Sequence, residues 1–528
     1  MNESPAARSL DDTAPPSRPS VATGQRSGNT TDTHRPGREH DWRLAPAAVF
    51  TWAGCWAAVA LPASLTWLVV FCVLAVAAIV LRRLLRRYPQ ASRCRSPDRR
   101  RWHDRARLRQ SVLAGALLGL LIAAVAWSST AVQVERRTAW VSALDGETAQ
   151  VWLRLTKEPV PLDGRPGVRI DTRLLQVNGE VLDLPVLVLA DERWRDLPVG
   201  AQVRVPARLA ATEPGDSRAL LVFPSGAGER EPPQGWRHLV AQLRGGLVQA
   251  SASLPPAARG LVPGIALGDD RALPPQLQQA MQDTSLTHLT AVSGAHVALV
   301  LALVLLALFW APRVVRAGAG ALVLVAFVAL VRPDGSVLRS AVMGGVLLVG
   351  LCLRRPRAAM PALCTAVIVL LAVDPWMARS FGFALSVLAT GGLLAGTGVL
   401  AGRLERWLPR PVAWAVAVPA AAQVACTPVL LLLDPAVPMY AVPANLLAGP
   451  AVAPATILGL LAAGLAPVAP APAATIARAA SWFTAWISSV ALTFAEFPAA
   501  RVETSGFTVA AVALLIVTML VWRSSRHR

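Results

Sequence analysis

From Leu286 to Val300 the chain reads LTHLTAVSGAHVALV, so that His288, His296, three hydroxyls and Gly294 enter an otherwise apolar run. Polar groups at membrane depth are costly unless they find partners or line a wet cavity. A helix broken at Ser293-Gly294 would expose backbone N–H and C=O groups there, as broken helices do in transporters. The plainer alternative has the hydroxyls bonded to their own helix carbonyls and the imidazoles packed between helices. Ser293 and His296 stand at i, i+3, close enough for a nucleophile and its base, but no neighbouring acid completes that pair.

Other chemistries lack their residues. The six cysteines, at 55, 72, 94, 352, 364 and 426, form no CxxC, and the seven histidines fall in no HxxEH, HExxH or HxHxDH arrangement. A disulfide scaffold, a zinc site and hydrolytic metal chemistry are therefore not expected. GxxxxGK[ST] is absent, which excludes that route to nucleotide hydrolysis. No cofactor is called for.

The elements that must position these residues are membrane spans. Mean hydropathy is +0.47, hydrophobic residues make up 54% and charged ones 16% of 528 residues. The formal charge of +19 would suggest nucleic acid on a soluble surface. Much of it is concentrated in 82–109, where 12 Arg face two Asp between apolar runs, which marks a cytoplasmic loop by the positive-inside rule.

Residues 1–43, rich in Ser, Thr, Pro, Gly and Arg, cannot bury a core and are expected to be a disordered cytoplasmic tail without a cleavable signal. Runs 44–61, 64–81 and 110–128 give three N-terminal spans. Over 130–230 the alternating segments 151–156, 168–177, 181–189, 203–209 and 219–223, with DG, PG and NG turns, predict a small extracytoplasmic β-barrel of OB type. Its 13 bases against 14 acids leave a net charge of −1, and its aromatics are Trp140, Trp152, Trp194 and Phe223, so any attraction for a nucleic acid strand must be local. Residues 236–285 predict amphipathic interfacial helices. Apolar runs then return over 286–522, with 441–466 and 475–497 either spanning or re-entrant and 507–522 the last span before a cytoplasmic tail at 523–528. The fold class expected is a polytopic α-helical membrane protein of about ten to twelve spans with the barrel inserted, both termini being cytoplasmic.

The segment GDDRALPPQLQQAMQDTSLTHLTAVSGAHVALV, 268–300, resembles the hallmark of ComEC competence proteins, G-D-R-x-x-L-x-x-x-L followed by THLLAISGLHV. Similar stretches follow in order: SVLRSAVM (336–343), DPWMARSFGFALSVLATGGLL (374–394), AAAQVACTPVLLLL (420–433) and AVPANLLAGPAV (441–452). The resemblance implies a channel in the cytoplasmic membrane for single-stranded DNA entering during natural transformation, not an enzyme. It implies as partners a DNA receptor, a separate nuclease and a motor ATPase besides the lipids, with homodimerisation left open. Gly-Leu-His of the hallmark is Gly294-Ala295-His296 here, and the metallo-β-lactamase-like domain of many members is missing up to Arg528, so the nuclease is expected to be another protein.

Candidate path residues are His288, Ser293, Gly294, His296 and Arg339, with Gln423 and Asn445 either lining the path or joining helices. Arg332, Arg339 and Arg379 all fall on the outer side by the charge rule. Arg339 lies in GSVLR, matching the family's P-S-x-x-R with Gly for Pro, where a guanidinium suits a phosphate. The competing reading is a polytopic enzyme or exporter for an envelope or lipid-linked substrate, with His288 and His296 as acid-base groups. It lacks carboxylates at depth: within 286–433 the acids are Asp334, Asp374 and Glu405, all in loops.

Overall fold

The computed structural model describes residues 44–86, 99–162, 164–226, 228–331, 335–353 and 359–503. The 1–43 tail, the centre of the arginine loop, Arg332, residues 354–358, the 507–522 run and 523–528 lie outside the described residues.

The first apolar runs form α1 (Ala45–Ala58) and α2 (Ala63–Arg86), split at Pro62, and α3 (Arg99–Leu144) follows. The third span was expected to end near Trp127, yet α3 runs for 46 residues. No Gly or Pro interrupts 128–144, and the helix stops only before Gly146, whose φ of 82° suits glycine alone. At 1.5 Å per residue the helix is about 69 Å long, more than twice the hydrocarbon thickness. Its last turns therefore reach the barrel, where Leu144 joins the core and Trp140 and Val141 pack against it.

The barrel begins at Thr148 rather than 130. Its strands are β1 (Thr148–Leu155), β2 (Val160–Pro161), β3 (Val168–Val177), β4 (Glu180–Ala190), β5 (Gln202–Ala211), β6 (Leu220–Pro224) and β7 (Glu229–Glu231). Five close on themselves in the order β1-β3-β4-β6-β5-β1, with β4 and β6 parallel and the other pairs antiparallel. This is the Greek-key closure of an OB-like barrel, and it leaves no long unpaired edge. Alternation sends Val151, Leu153, Ile170, Leu174, Val203 and Leu209 inward. Register shifts at Trp152/Leu153 and between Leu174 and Gln176 supply the bends that closure needs.

After the barrel come α4 (Trp236–Ser251), α5 (Pro256–Leu267) and α6 (Pro275–Asp283). These helices form where amphipathic ones were expected, but α5 is enclosed rather than interfacial. Its sequence PAARGLVPGIAL is apolar on nearly every side, and such a helix is buried. The remaining helices are α7 (Gly294–Ala307), α8 (Arg313–Val331), α9 (Gly335–Cys352), α10 (Ala359–Val373), α11 (Phe381–Leu404), α12 (Arg410–Leu433), α13 (Ala441–Leu465) and α14 (Pro470–Ala495), with a small ribbon of β8 (Ala436–Pro438) and β9 (Arg501–Glu503). α5 lies against both α13 and α14.

Among the described residues eight helical stretches are long and apolar enough to cross a membrane: parts of α2 and α3, α7 with the turn before it, α8, α9, α11, α12 and α13. α10 is apolar but shorter, and α14 carries Arg478 and several hydroxyls. Phe71, Val125, Leu322 and Val325 are each more than 60% exposed, which is unfavourable in water and natural against lipid tails. The protein is a multi-pass membrane protein.

Five helices close a ring. α7 packs on α9, α9 on α11, α11 on α12, α12 on α13, and α13 returns to α7. Small residues allow the close approaches: a Cβ on Gly392 of α11 would lie 2.5 Å from that of Ala425 on α12, and one on Gly459 of α13 would lie 2.6 Å from that of Ala266 on α5.

Candidate functional site

The polar segment before α7 is not helical throughout. A 3₁₀ turn spans Thr287–Leu289, Ser293 is extended at φ −108° and ψ 173°, and α7 begins only at Gly294. Ser293 donates its backbone N–H to Nδ1 of His296 at 3.0 Å, and the backbone N–H of His296 returns to Ser293 O at 3.1 Å. That reciprocal cap fixes the helix start and makes Nδ1 an acceptor, which leaves the proton on Nε2. The His296 ring is 2% exposed and its Nε2 has no partner among the described residues.

Arg339 meets this helix start. An added Cβ on Gly294 would lie 2.8 Å from Ser340 Oγ and 3.3 Å from Arg339 Nη2, so glycine is what lets α9 approach. The guanidinium is 4% exposed. Its Nε donates to Ser386 Oγ of α11 at 2.9 Å, Nη2 to Ser340 Oγ at 3.2 Å, and Nη1 lies 3.2 Å from Met343 Sδ. Ser336 Oγ is 2.9 Å from Ser386 Oγ. All these partners are neutral, and among the described residues no carboxylate lies within 4 Å of Arg339. A buried cation is normally paired. Here it faces hydroxyls and the amide end of α7, both of which suit an anion.

His288 and Gln423 meet through Ser285, which turns the chain out of α6 at φ 58°. His288 is exposed and its Nδ1 donates to Ser285 O at 2.9 Å, while Ser285 Oγ lies 3.4 Å from Gln423 Oε1 on α12. Asn445 of α13 instead donates to Ala441 O of its own helix at 2.8 Å. Neither imidazole contacts a carboxylate among the described residues. Arg379 stacks on Trp56 at 4.8 Å and reaches toward Pro214 O of the barrel.

Three features escaped the sequence reading. Ser336, Arg339 and Ser340 stand at i, i+3, i+4, so their common helical face was legible; the partner Ser386, 47 residues on, was not. Arg244 of α4 is a buried pin, donating to Leu267 O at 2.8 Å and Leu330 O at 3.0 Å and to Glu158 of the barrel at 3.2 Å. Asp269 and Arg271 of the GDDR segment complete this cluster. Desolvation acts to raise the Asp269 pKa, but the Arg271 fork and Arg244 outweigh it and hold the carboxyl below its usual range.

The third feature is a basic face on the barrel. Register sets Trp152 opposite Arg204, and Arg154 opposite Arg173, on the outward side of β3-β1-β5, with Arg208 further along β5. Burial, with Arg237 and Arg173 nearby, lowers the Arg154 pKa. Of the other expected aromatics, Trp194 is fully buried and Trp140 packs on the core. A net charge of −1 hides this arrangement: Asp183 pairs with Arg173 and Asp171 with Arg218, and on the face itself Glu229 of β7 stands opposite Arg204, with Arg154 and Arg208 beyond it.

Fold and site together define a multi-pass membrane protein whose inserted OB-like barrel carries a basic face and whose helical half buries an arginine that has no counter-ion among the described residues. Residues 265–528 match the family described as Competence protein, and the chain belongs to that family, the ComEC type whose motifs it carries. It is similar to ComE operon protein 3 of Bacillus subtilis (strain 168), at 30% identity over 174 residues, covering 32% of this chain and 22% of that relative. The match thus spans less than a quarter of the relative's length. No solved structure matches.

Proposed function

We propose that this protein is a channel passing one strand of DNA across the cytoplasmic membrane during natural transformation, with the barrel outside and both termini inside. The observation that carries the reading is Arg339: a buried guanidinium with neutral partners, set against the first turn of a helix on a ring of five. A fully paired arginine would serve packing, whereas one held among serines is ready to receive a phosphate oxygen. Ser293, Gly294 and His296 shape the break beside it, while His288 with Gln423, and Asn445 on α13, offer polar contacts along the ring. Trp152 among Arg154, Arg204 and Arg208 suits a strand by stacking and charge before it enters. In this reading the chain catalyses no step itself, and a DNA receptor, a nuclease and a motor ATPase act as separate partners.

The test is uptake of labelled DNA into the cytosol of a deletion strain. Restoration with the wild-type chain should return the label to the cytosol, and restoration with Arg339→Ala at equal membrane level should leave it at the surface. Full cytosolic uptake in the deletion strain would overturn the proposal.

A further inference from the structure

Beside the α7 start lies a cavity of about 350 Å³, whose wall includes Gly268, Asp270, Gln278, Thr287, Thr290 and Val337. Among the described residues of that wall Asp270 alone is charged. The two consecutive aspartates of the GDDR segment are thus used differently. Asp269 is buried and saturated, with Arg271 Nε and Nη2 each at 2.9 Å and Arg244 at 3.9 Å. Asp270 is exposed, shares the cavity wall with Thr290, whose hydroxyl donates to Thr287 O at 3.0 Å, and has no ion pair among the described residues.

The cavity shares its elements with Arg339. Val337 is two residues before Arg339 on α9, and Val292, also on the wall, is two residues before Gly294. A phosphate arriving at Arg339 would therefore pass an uncompensated carboxylate, and like charges repel. Chemistry offers one simple bridge. Magnesium keeps most of its water and is held by one or two carboxylates together with substrate phosphates, not by a full protein cage. The cavity has room for six waters at about 30 Å³ each. The remaining polar lining, two threonine hydroxyls and the Gln278 amide, offers the oxygen acceptors that such waters need. A site of this kind has one carboxylate, so neither cysteine-histidine spacing nor a cluster of acids announces it.

We propose that this cavity binds a hydrated divalent cation of the magnesium class, anchored by Asp270, with its waters on Thr287, Thr290 and Gln278 and its open side toward a strand phosphate. The last clause rests on the channel reading; binding of the cation does not.

The experiment uses the full chain in detergent without DNA, with Mn²⁺ as the probe and bound ion counted by electron paramagnetic resonance. Saturable Mn²⁺ binding that Mg²⁺ displaces is expected, weakened at least tenfold by Asp270→Asn and unchanged by the remote Glu496→Gln. Thr290→Val, which removes a hydroxyl without touching charge, should weaken it several-fold and keeps the test open if Asp270→Asn does not fold. Absence of saturable binding, or equal affinity in the wild type and both cavity variants, overturns the site. If Mn²⁺ binds through Asp270 while Arg339→Ala transforms normally, the cation site stands and the DNA path falls.

Discussion

Arg339 is the residue where the channel reading is most exposed to test. Arg339→Ala should lower transformation frequency by at least tenfold at equal membrane level, and Arg339→Lys should restore only part, because a single ammonium cannot reproduce a fork that contacts Ser386 and Ser340 together. His296→Gln separates the two roles of the imidazole: an amide oxygen can still cap Ser293, so retained transformation assigns His296 to the helix start and its loss assigns it more. Sequence alone singled out Arg339, His296 and Gly294 by motif and apolar context, and the structure brings these three together at the start of α7. The sequence could not reach Ser386 or Arg244, since no local spacing links residues on helices that meet only after folding.

At the scale of elements, the break before α7 depends on Gly294 having no side chain. Gly294→Leu forces a branched group onto Ser340 Oγ, where even a Cβ would sit 2.8 Å away, so it should block passage, read as lost transformation with the chain still in the membrane. Gly392→Val acts differently: its side chain would enter α12 near Ala425 Cβ and Ala421 O, and overpacking costs about 1–3 kcal/mol. It should lower the amount of folded protein by immunoblot, not the activity per molecule. For the barrel, a fragment starting near 136, which keeps Trp140 in the core, should bind single-stranded DNA with an affinity that falls steeply with salt. Four arginines, Arg154, Arg204, Arg208 and Arg237, would give a log–log slope of about −3. A slope near zero would remove the basic face from the path. All five main strands were legible from alternation and turn residues. The enclosure of α5 was not, because an apolar helix of 12 residues bounded by Pro and Gly looks the same on a surface until α13 and α14 cover it.

At the scale of the whole molecule, Leu144 of α3 enters the barrel core, and among the described residues two polar clusters also tie the barrel to the helices. One is the Glu158, Arg244, Asp269 and Arg271 cluster; the other is the loop where Arg137 of α3 donates to Asp216 O at 2.8 Å and Ser217 O at 3.3 Å. Asp269 titrates below its unfolded value, so its contribution is complete above the ordinary carboxylate range and lost as pH falls through the lower folded pKa. Proteolysis in the 232–235 linker should therefore rise in acid and stay low at neutral pH. Glu158→Gln should bring the same rise at neutral pH, since breaking a buried pair costs on the order of 3 kcal/mol. The arginine-rich stretch 99–109 forms the first turns of α3 and the barrel follows its other end, so cysteine labelling from outside should reach the barrel and not the start of α3. That helix is also a spindle. Because Leu144 is embedded in the barrel core, the bearing of the barrel is set by counting residues along one axis: deleting one residue near 130 would turn the barrel by about 100°, whereas deleting four would lower it by about 6 Å and turn it little further than one full revolution.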